Sequence, residues 1–409
     1  MIGVVGLDLY GSTLSLNLAR NHEVQLYSPI YSSRLRKVQN EKFSFVGKNL
    51  KGCPTLDEFV ESFDEDFPNV IVTCVNGEKN ATKIVQKLAT LLNENDCILD
   101  FGKTIDIDSI QKRHLTCSMH GVGYMDCSVV TPIMDSIDNP SILCSGTSTI
   151  QSEELLTEMT ENMYYEEKIG TSKYLHMVIS SLEETLIQSV GDIYAYCNFE
   201  APKVKAVLTK VQKDYPNSCR LIDHISHLLN LPELKRISPT LDPNPILLPM
   251  VEESMRKGIP FNVQAAAMLN QSTSNRTEIY AIEESATDPD LNVAANALLF
   301  VSATAILETR WLLKDSGHLN DDLTRFLNST NMSSNIISYD DDKLIEILDI
   351  TYNASKVFVA HCIEMDRSVS LVSAAVSQYA SIKNPMKPSN LLVAARNYLH
   401  GDRIRYLQL

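Results

Sequence analysis

The segment that most constrains this 409-residue chain is its start, where the apolar run Met1–Leu7 carries into Gly6-Leu7-Asp8-Leu9-Tyr10-Gly11 and then into helical spacing. An apolar strand that ends on a glycine turn and feeds a helix at once opens a strand–helix–strand unit. The first glycine permits the tight turn, and the last lets the helix pack close against the strand. The alternation then repeats. Strands are expected at Met1–Leu7, Glu23–Ser28, Asn69–Val75, Cys97–Phe101, Gly123–Val129 and Ser141–Gly146, with helices between them such as Ser12–Asn21, Lys79–Asn93 and Ile107–His114. Strands that are apolar along nearly their whole length, separated by helices, form a parallel sheet covered on both faces.

Beyond about residue 165 the strand signals stop. Tyr174, Leu175, Val178, Leu182, Leu186, Val190 and Ile193 recur at three-to-four spacing, which predicts one helix of about 25 residues starting after Gly170. Helical spacing continues over roughly 202–213, 217–229, 246–257, 261–270, 292–314, 341–364 and 366–379, with loops at 231–245 and 383–389. Asp340–Asp342 ahead of Lys343 reads as a helix N-terminus, where acidic side chains cap free amides and oppose the macrodipole. The chain is too long for one ordinary core. The expected fold is an α/β Rossmann domain, doubly wound around a mainly parallel sheet, over residues 1–165, followed by an all-α domain over 166–409.

Composition narrows the function classes. With 51 acidic against 36 basic residues the net charge is −15, which argues against nucleic acid or an anionic membrane as partner. The apolar runs read as shorter than the roughly 18–20 residues that span a bilayer. The first residues lack the basic and continuous apolar segments of a signal peptide, so a cytoplasmic location is expected. None of the nine cysteines forms a CxxC pair, and they read as reduced core residues. His224 and His227 sit one turn apart without a third ligand at a known spacing, so they read as ordinary helix residues.

The turn departs from dinucleotide chemistry at one position. A diphosphate approaches the backbone where the G-x-G-x-x-G pattern has its second glycine, and here that residue is Asp8. The second strand ends on Ser28-Pro29 rather than on an acidic residue for a ribose. That choice favours NADP over NAD, with Ser28, Ser33 and Arg34 as contacts for a 2′-phosphate.

Four stretches carry a family resemblance: MIGVVGLDLYGSTLSLNLARNHEVQLYS, KIVQKLATLLNENDCILDFGKT, IGTSKYLHMVISSLEETLIQSVGDIYAY and PMKPSNLLVAARNYLHGDRIRYL. In order and spacing they resemble 6-phosphogluconate dehydrogenase, an NADP-dependent oxidative decarboxylase. The resemblance implies a helical second domain, a homodimer, and a C-terminal segment that reaches into the partner's site. It also implies roles for particular residues. The family's catalytic lysine falls on His176, its His-Asn pair on Ile179 and Ser180, its general acid on Glu183, and a phosphate-binding tyrosine on Glu184. The substrate loop falls on Val130-Thr131-Pro132 and the corner after the fourth strand, Cys97–Phe101, on Gly102-Lys103-Thr104. The Lys-Gly-Thr of the phosphate site falls on Lys257-Gly258-Ile259, a further arginine on Glu283-Glu284, the tail arginine on Arg396 and the tail histidine on Asp402. Gly6, Gly11, Ser28, Arg34, Val75 and Gly102 fall at cofactor positions, and Lys103, Lys257 and Arg396 at substrate positions.

His176, Ser180 and Glu183 share one helix face at i, i+4 and i+7. The site carried over from the family has nonetheless exchanged several cations for carboxylates. Each charge-assisted hydrogen bond lost costs about 1.5–3 kcal/mol, so 6-phosphogluconate is expected to bind poorly. The leading expectation is a family member that has lost catalysis, binds NADP weakly or not at all, and serves as a dimeric interaction or regulatory scaffold for a protein partner. The alternative is a working NADP-dependent decarboxylating dehydrogenase, or one acting on another 3-hydroxy acid, with His176 or a nearby lysine as base and Glu183 as acid.

Overall fold

The computed structural model describes residues 1–28, 49–63, 66–103, 106–130, 140–214, 220–231, 245–274, 288–330, 339–384 and 389–400. The first part is a sheet of eight strands: β1 (Ile2–Val5), β2 (Val24–Tyr27), β3 (Leu50–Gly52), β4 (Val70–Thr73), β5 (Cys97–Asp100), β6 (Gly123–Val129), β7 (Ile142–Thr147) and β8 (Met163–Glu166). They lie side by side in the order β3-β2-β1-β4-β5-β6-β7-β8. All neighbours are parallel except β6 and β7, which run antiparallel. Every residue of β1, β4, β5 and β6 is buried, as strands covered on both faces require. The strand order reverses between β1 and β4, and the turn after β1 opens beside that point.

Helices α1 (Leu9–Leu18), α2 (Leu56–Glu61), α3 (Glu78–Leu91), α4 (Ile107–Met119) and α5 (Ile150–Met159) cover the sheet. The six strands expected from the sequence are all present. The two that were not foreseen are β3, only three residues long, and β8, an edge strand whose residues alternate between buried and exposed. Helix α1 begins three residues earlier than its apolar spacing suggests, because Asp8 caps it. Helix α5, also unforeseen, is short and starts at a capping box formed by Thr149 and Ser152.

The helical part follows: α6 (Thr171–Tyr196), α7 (Ala201–Asp214), α8 (Arg220–Leu228), α9 (Leu247–Lys257), α10 (Asn262–Ser274), α11 (Leu291–Asp315), α12 (Asp321–Ser329), α13 (Asp341–Glu364), α14 (Ser370–Lys383) and α15 (Ser389–His400). Asp340 caps α13 as expected, accepting from the Lys343 amide at 2.8 Å. Two helices carry buried carboxylates that cap their neighbours. Asp192 on α6 accepts from the Leu371 and Val372 amides at the start of α14, both at 3.0 Å. Glu308 on α11 accepts from the Val263 and Gln264 amides at the start of α10, at 2.9 and 3.3 Å.

Helix α11 corrects one expectation. By length and composition it is apolar enough to cross a bilayer, with a mean hydropathy of 1.5 over its most apolar window. Of that window 72% is buried inside the fold, so it serves as the central core helix of the helical part.

Candidate functional site

The turn after β1 is fixed by its two glycines. Gly6 has a φ of +94°, and a Cβ there would sit 2.5 Å from the Cys74 carbonyl oxygen; one at Gly11 would sit 2.0 Å from the Gly6 carbonyl oxygen. Both positions therefore exclude side chains for reasons internal to the fold. Asp8 then caps α1. Its Oδ1 accepts from the Gly11 amide at 2.8 Å, and its Oδ2 accepts from Asn76 Nδ2 at 2.9 Å. The helix N-terminus, which attracts anions through its unpaired amides and dipole, thus holds a carboxylate of its own.

Of the other cofactor positions, Ser28, Val75 and Gly102 follow the ends of β2, β4 and β5. Ser28 is half-buried just past the end of β2, and Arg34 lies outside the described residues, as do Ser33 and Pro29. The side chain of Val75 is buried in the core. Gly102 donates its amide to Asp100 Oδ1 at 3.0 Å, and a Cβ there would meet the Val75 carbonyl oxygen at 2.9 Å. Asp100 is the centre of a buried cluster. It also accepts from Thr73 Oγ1 (3.0 Å) and the Tyr124 hydroxyl (2.7 Å), and it pairs with Arg113, which reaches Glu78 as well.

The long helix α6 forms the facing wall. Its first turn is bonded to β6 and β7. The Ser172 amide donates to Ser145 Oγ (3.0 Å) and the Lys173 amide to Asp126 Oδ2 (3.1 Å), while Lys173 Nζ donates to the Cys127 carbonyl (2.7 Å) and Ser128 Oγ (3.0 Å). Lys173 also pairs with the buried carboxylate of Asp126. One turn on, His176 Nε2 lies 3.4 Å from Ser180 Oγ, so the shared face expected from the spacing is present. Burial, together with the Lys173 and Lys103 ammonium groups, holds the His176 imidazole well below its usual pKa, so it is neutral at physiological pH. Glu183 buries Oε1 with no hydrogen-bond partner, and burial pushes its carboxyl up to about 8. The two walls meet at Tyr10, whose hydroxyl is pushed up by burial and by the nearby Glu183 and Asp8 carboxyls. Lys103, itself exposed, places its ammonium 4.7 Å from the centre of the Tyr10 ring.

The positions carried over for phosphate are engaged elsewhere or stand apart. Lys257, at the end of α9, lies between Glu253 (3.4 Å) and Asp315 (3.1 Å). Glu184 accepts from Gln271 Nε2 at 2.8 Å and Gln188 Nε2 at 3.2 Å. Arg396 is exposed on α15. Thr131, Pro132, Thr104, Glu283, Glu284 and Asp402 lie outside the described residues. The structure brings His176, Ser180 and Glu183 to one stretch of α6, with Lys103 near His176 and the glycine turn near Glu183 through Tyr10, and it adds Tyr10, Asn76 and Lys173, which sequence reasoning passed over. Lys173 left a trace, being the one charged residue in the first turn Thr171-Ser172-Lys173-Tyr174; the reach of Asn76 to Asp8 left none.

A sheet in this order, with its switch point at a glycine turn faced by a long helix, is a Rossmann-type fold followed by a largely helical region. Residues 1–166 match the NAD-binding domain of 6-phosphogluconate dehydrogenase. The chain is 24% identical over 204 residues to a decarboxylating 6-phosphogluconate dehydrogenase of Bacillus licheniformis, an alignment covering 48% of this chain and 42% of the relative. It is 26% identical to each of two Bacillus subtilis (strain 168) enzymes, one NAD-dependent (48% and 42% covered) and one NADP-dependent (47% and 42%). The match spans about two fifths of the length of these relatives. In fold, the chain superposes on a 6-phosphogluconate dehydrogenase of Plasmodium falciparum with a TM-score of 0.84 at 16% identity, covering 100% of this chain and 98% of the other. By sequence the likeness to 6-phosphogluconate dehydrogenase runs through residues 1–166, and in fold the chain is similar along its length to one such enzyme.

Proposed function

We propose that this chain has kept the family's fold without its reaction, and acts as a dimeric interaction or regulatory module. One observation carries the reading: both carboxylate oxygens of Asp8 are bonded inside the turn, one of them to an amide of the helix N-terminus. A dinucleotide diphosphate does not fit that arrangement. Two like charges about 4 Å apart repel by about 4 kcal/mol at an effective dielectric of 20, which exceeds the roughly 0.3–1 kcal/mol that a helix N-terminus returns. That difference corresponds to about two powers of ten in affinity. On the substrate side, Lys257 is already paired with two carboxylates, which weakens any hold on a phosphorylated sugar acid. The exposed leucines of α15, Leu391, Leu392 and Leu399, support self-association through the tail.

Titration with NADPH and a turnover assay with 6-phosphogluconate and NADP test the reading. The expected result is no saturable binding in the micromolar range and no NADPH formed. Turnover at rates typical of dehydrogenases overturns it in favour of the working NADP-dependent enzyme. A second reading rests on Glu183. A buried carboxyl that keeps its proton to about pH 8 suits a proton donor to a small molecule held near Lys103 and His176. Sedimentation of the chain with and without residues 389–409 checks the dimer.

A further inference from the structure

Cys127 on β6 and Cys144 on β7 stand directly opposite each other in the antiparallel register. The Val130 amide donates to the Ser141 carbonyl at 3.0 Å, which makes that rung a hydrogen-bonded one. Rungs alternate, so the Cys127–Cys144 rung, three along, is of the kind without main-chain bonds, where opposed Cα atoms are about 4.5 Å apart. Disulfides need a Cα separation of about 4.4–6.8 Å, and this rung falls at the short end of that range. Both thiols are unbridged and buried, within reach of one another in the core beneath α5.

Their neighbours along the two strands point to the opposite face, where the long helix is anchored. Asp126 and Ser128 flank Cys127, and Leu143 and Ser145 flank Cys144. Asp126 and Ser128 take hydrogen bonds from Lys173, and Ser128, Ser145 and the Leu143 carbonyl from Ser172. The Cys127 carbonyl itself accepts from Lys173 Nζ. A change in the separation of β6 and β7 at this rung is therefore passed to the first turn of α6, which carries His176 and Glu183 further along.

We propose that Cys127 and Cys144 are a redox-responsive dithiol that closes to a cross-strand disulfide and tightens the anchor of α6. The oxidant is a small disulfide such as oxidised glutathione. One S–S bond forms in the protein and one breaks in the oxidant, which takes up two electrons and two protons and leaves as two thiols. Burial keeps the thiolate scarce in the closed protein, so exchange proceeds when the strands and α5 open, or during folding. Closure at the short end of the allowed range leaves the bond easily reduced, and the device reversible.

The test is to unfold the full chain with reductant and refold it in an oxidising glutathione buffer. Remaining thiols are then alkylated in denaturant and the peptides mapped by mass spectrometry. The expected product is a linked pair containing Cys127 and Cys144, two hydrogens lighter than the separate peptides. Amide exchange over Thr171–His176 is expected to slow in the oxidised protein, to recover on reduction, and to stay unchanged in Cys127→Ala and Cys144→Ala under the same treatment. Full alkylation of both thiols after refolding, or their capture only in mixed or other disulfides, overturns the dithiol. A linked pair with unaltered exchange in α6 overturns its transmission to the helix.

Discussion

At the turn after β1, Asp8 has given one oxygen to Gly11 and the other to Asn76, whereas across the cleft on α6 Glu183 buries an oxygen that nothing meets. Both walls are built from residues that family likeness assigns to ligand binding. The difference lies in how their polar groups are satisfied. A self-satisfied turn gains little from a ligand, because each new bond replaces one already made. An unmatched buried carboxyl costs stability unless it keeps its proton, and it rewards whatever offers it a partner. The capacity to meet a ligand is therefore concentrated on the helix wall.

The largest effect is expected where that wall is fastened. Lys173 is nearly buried, and replacing it by methionine leaves the Asp126 carboxyl buried without its cation. Removing one partner of a buried pair costs about 3–5 kcal/mol. Urea unfolding of Lys173→Met should show a loss of that order, and His176 should become easier to protonate when followed by NMR. A variant as stable as wild type would mean that the first turn of α6 does not depend on this pair.

Next in size is the dependence on pH. Burial raises Asp126 to about 6, Asp192 to about 7 and both Glu183 and Glu308 to about 8, although backbone amides pull against it at Asp192 and Glu308. The unfolded chain gives up these protons at about pH 4. Between there and pH 8 the folded state holds more protons, so stability falls as pH rises. The thermal midpoint should be several degrees lower at pH 8.5 than at pH 5.5. Glu183→Gln, which has no proton to lose, should flatten part of that slope; an unchanged slope would place the Glu183 carboxyl in contact with water.

These groups also mark what a reader of the sequence could and could not see. Strands such as Val70–Thr73 and the periodic α6 are legible because burial imposes a repeating pattern on them. The common face of His176, Ser180 and Glu183 follows from helical spacing alone. The bond from Asn76 to Asp8 joins residues 68 apart, and the packing of Tyr10 under Lys103 depends on where the first turn of α1 and the segment after β5 come to rest. Neither leaves a periodic trace. That one oxygen of Glu183 is left without a partner depends on the packing of its surroundings, which helical spacing does not record.

The smallest expected effect separates two meanings of Asp8. If the residue is only a cap, Asp8→Ala loses about 1 kcal/mol of stability and leaves the affinity for NADPH where it was. If it also excludes phosphate, the same variant loses that stability and gains affinity, because the Gly11 amide is released and the repulsion is removed. Asp8→Asn keeps an acceptor for the Gly11 amide while removing the charge. It should be closer to wild type in stability than Asp8→Ala, and should share in the gain. Paired denaturation and NADPH titrations on the three proteins resolve the two effects. A rise in affinity that tracks loss of charge rather than loss of the cap identifies electrostatic exclusion. Equal affinities in all three would move the obstacle to Tyr10, which stands between Asp8 and Glu183.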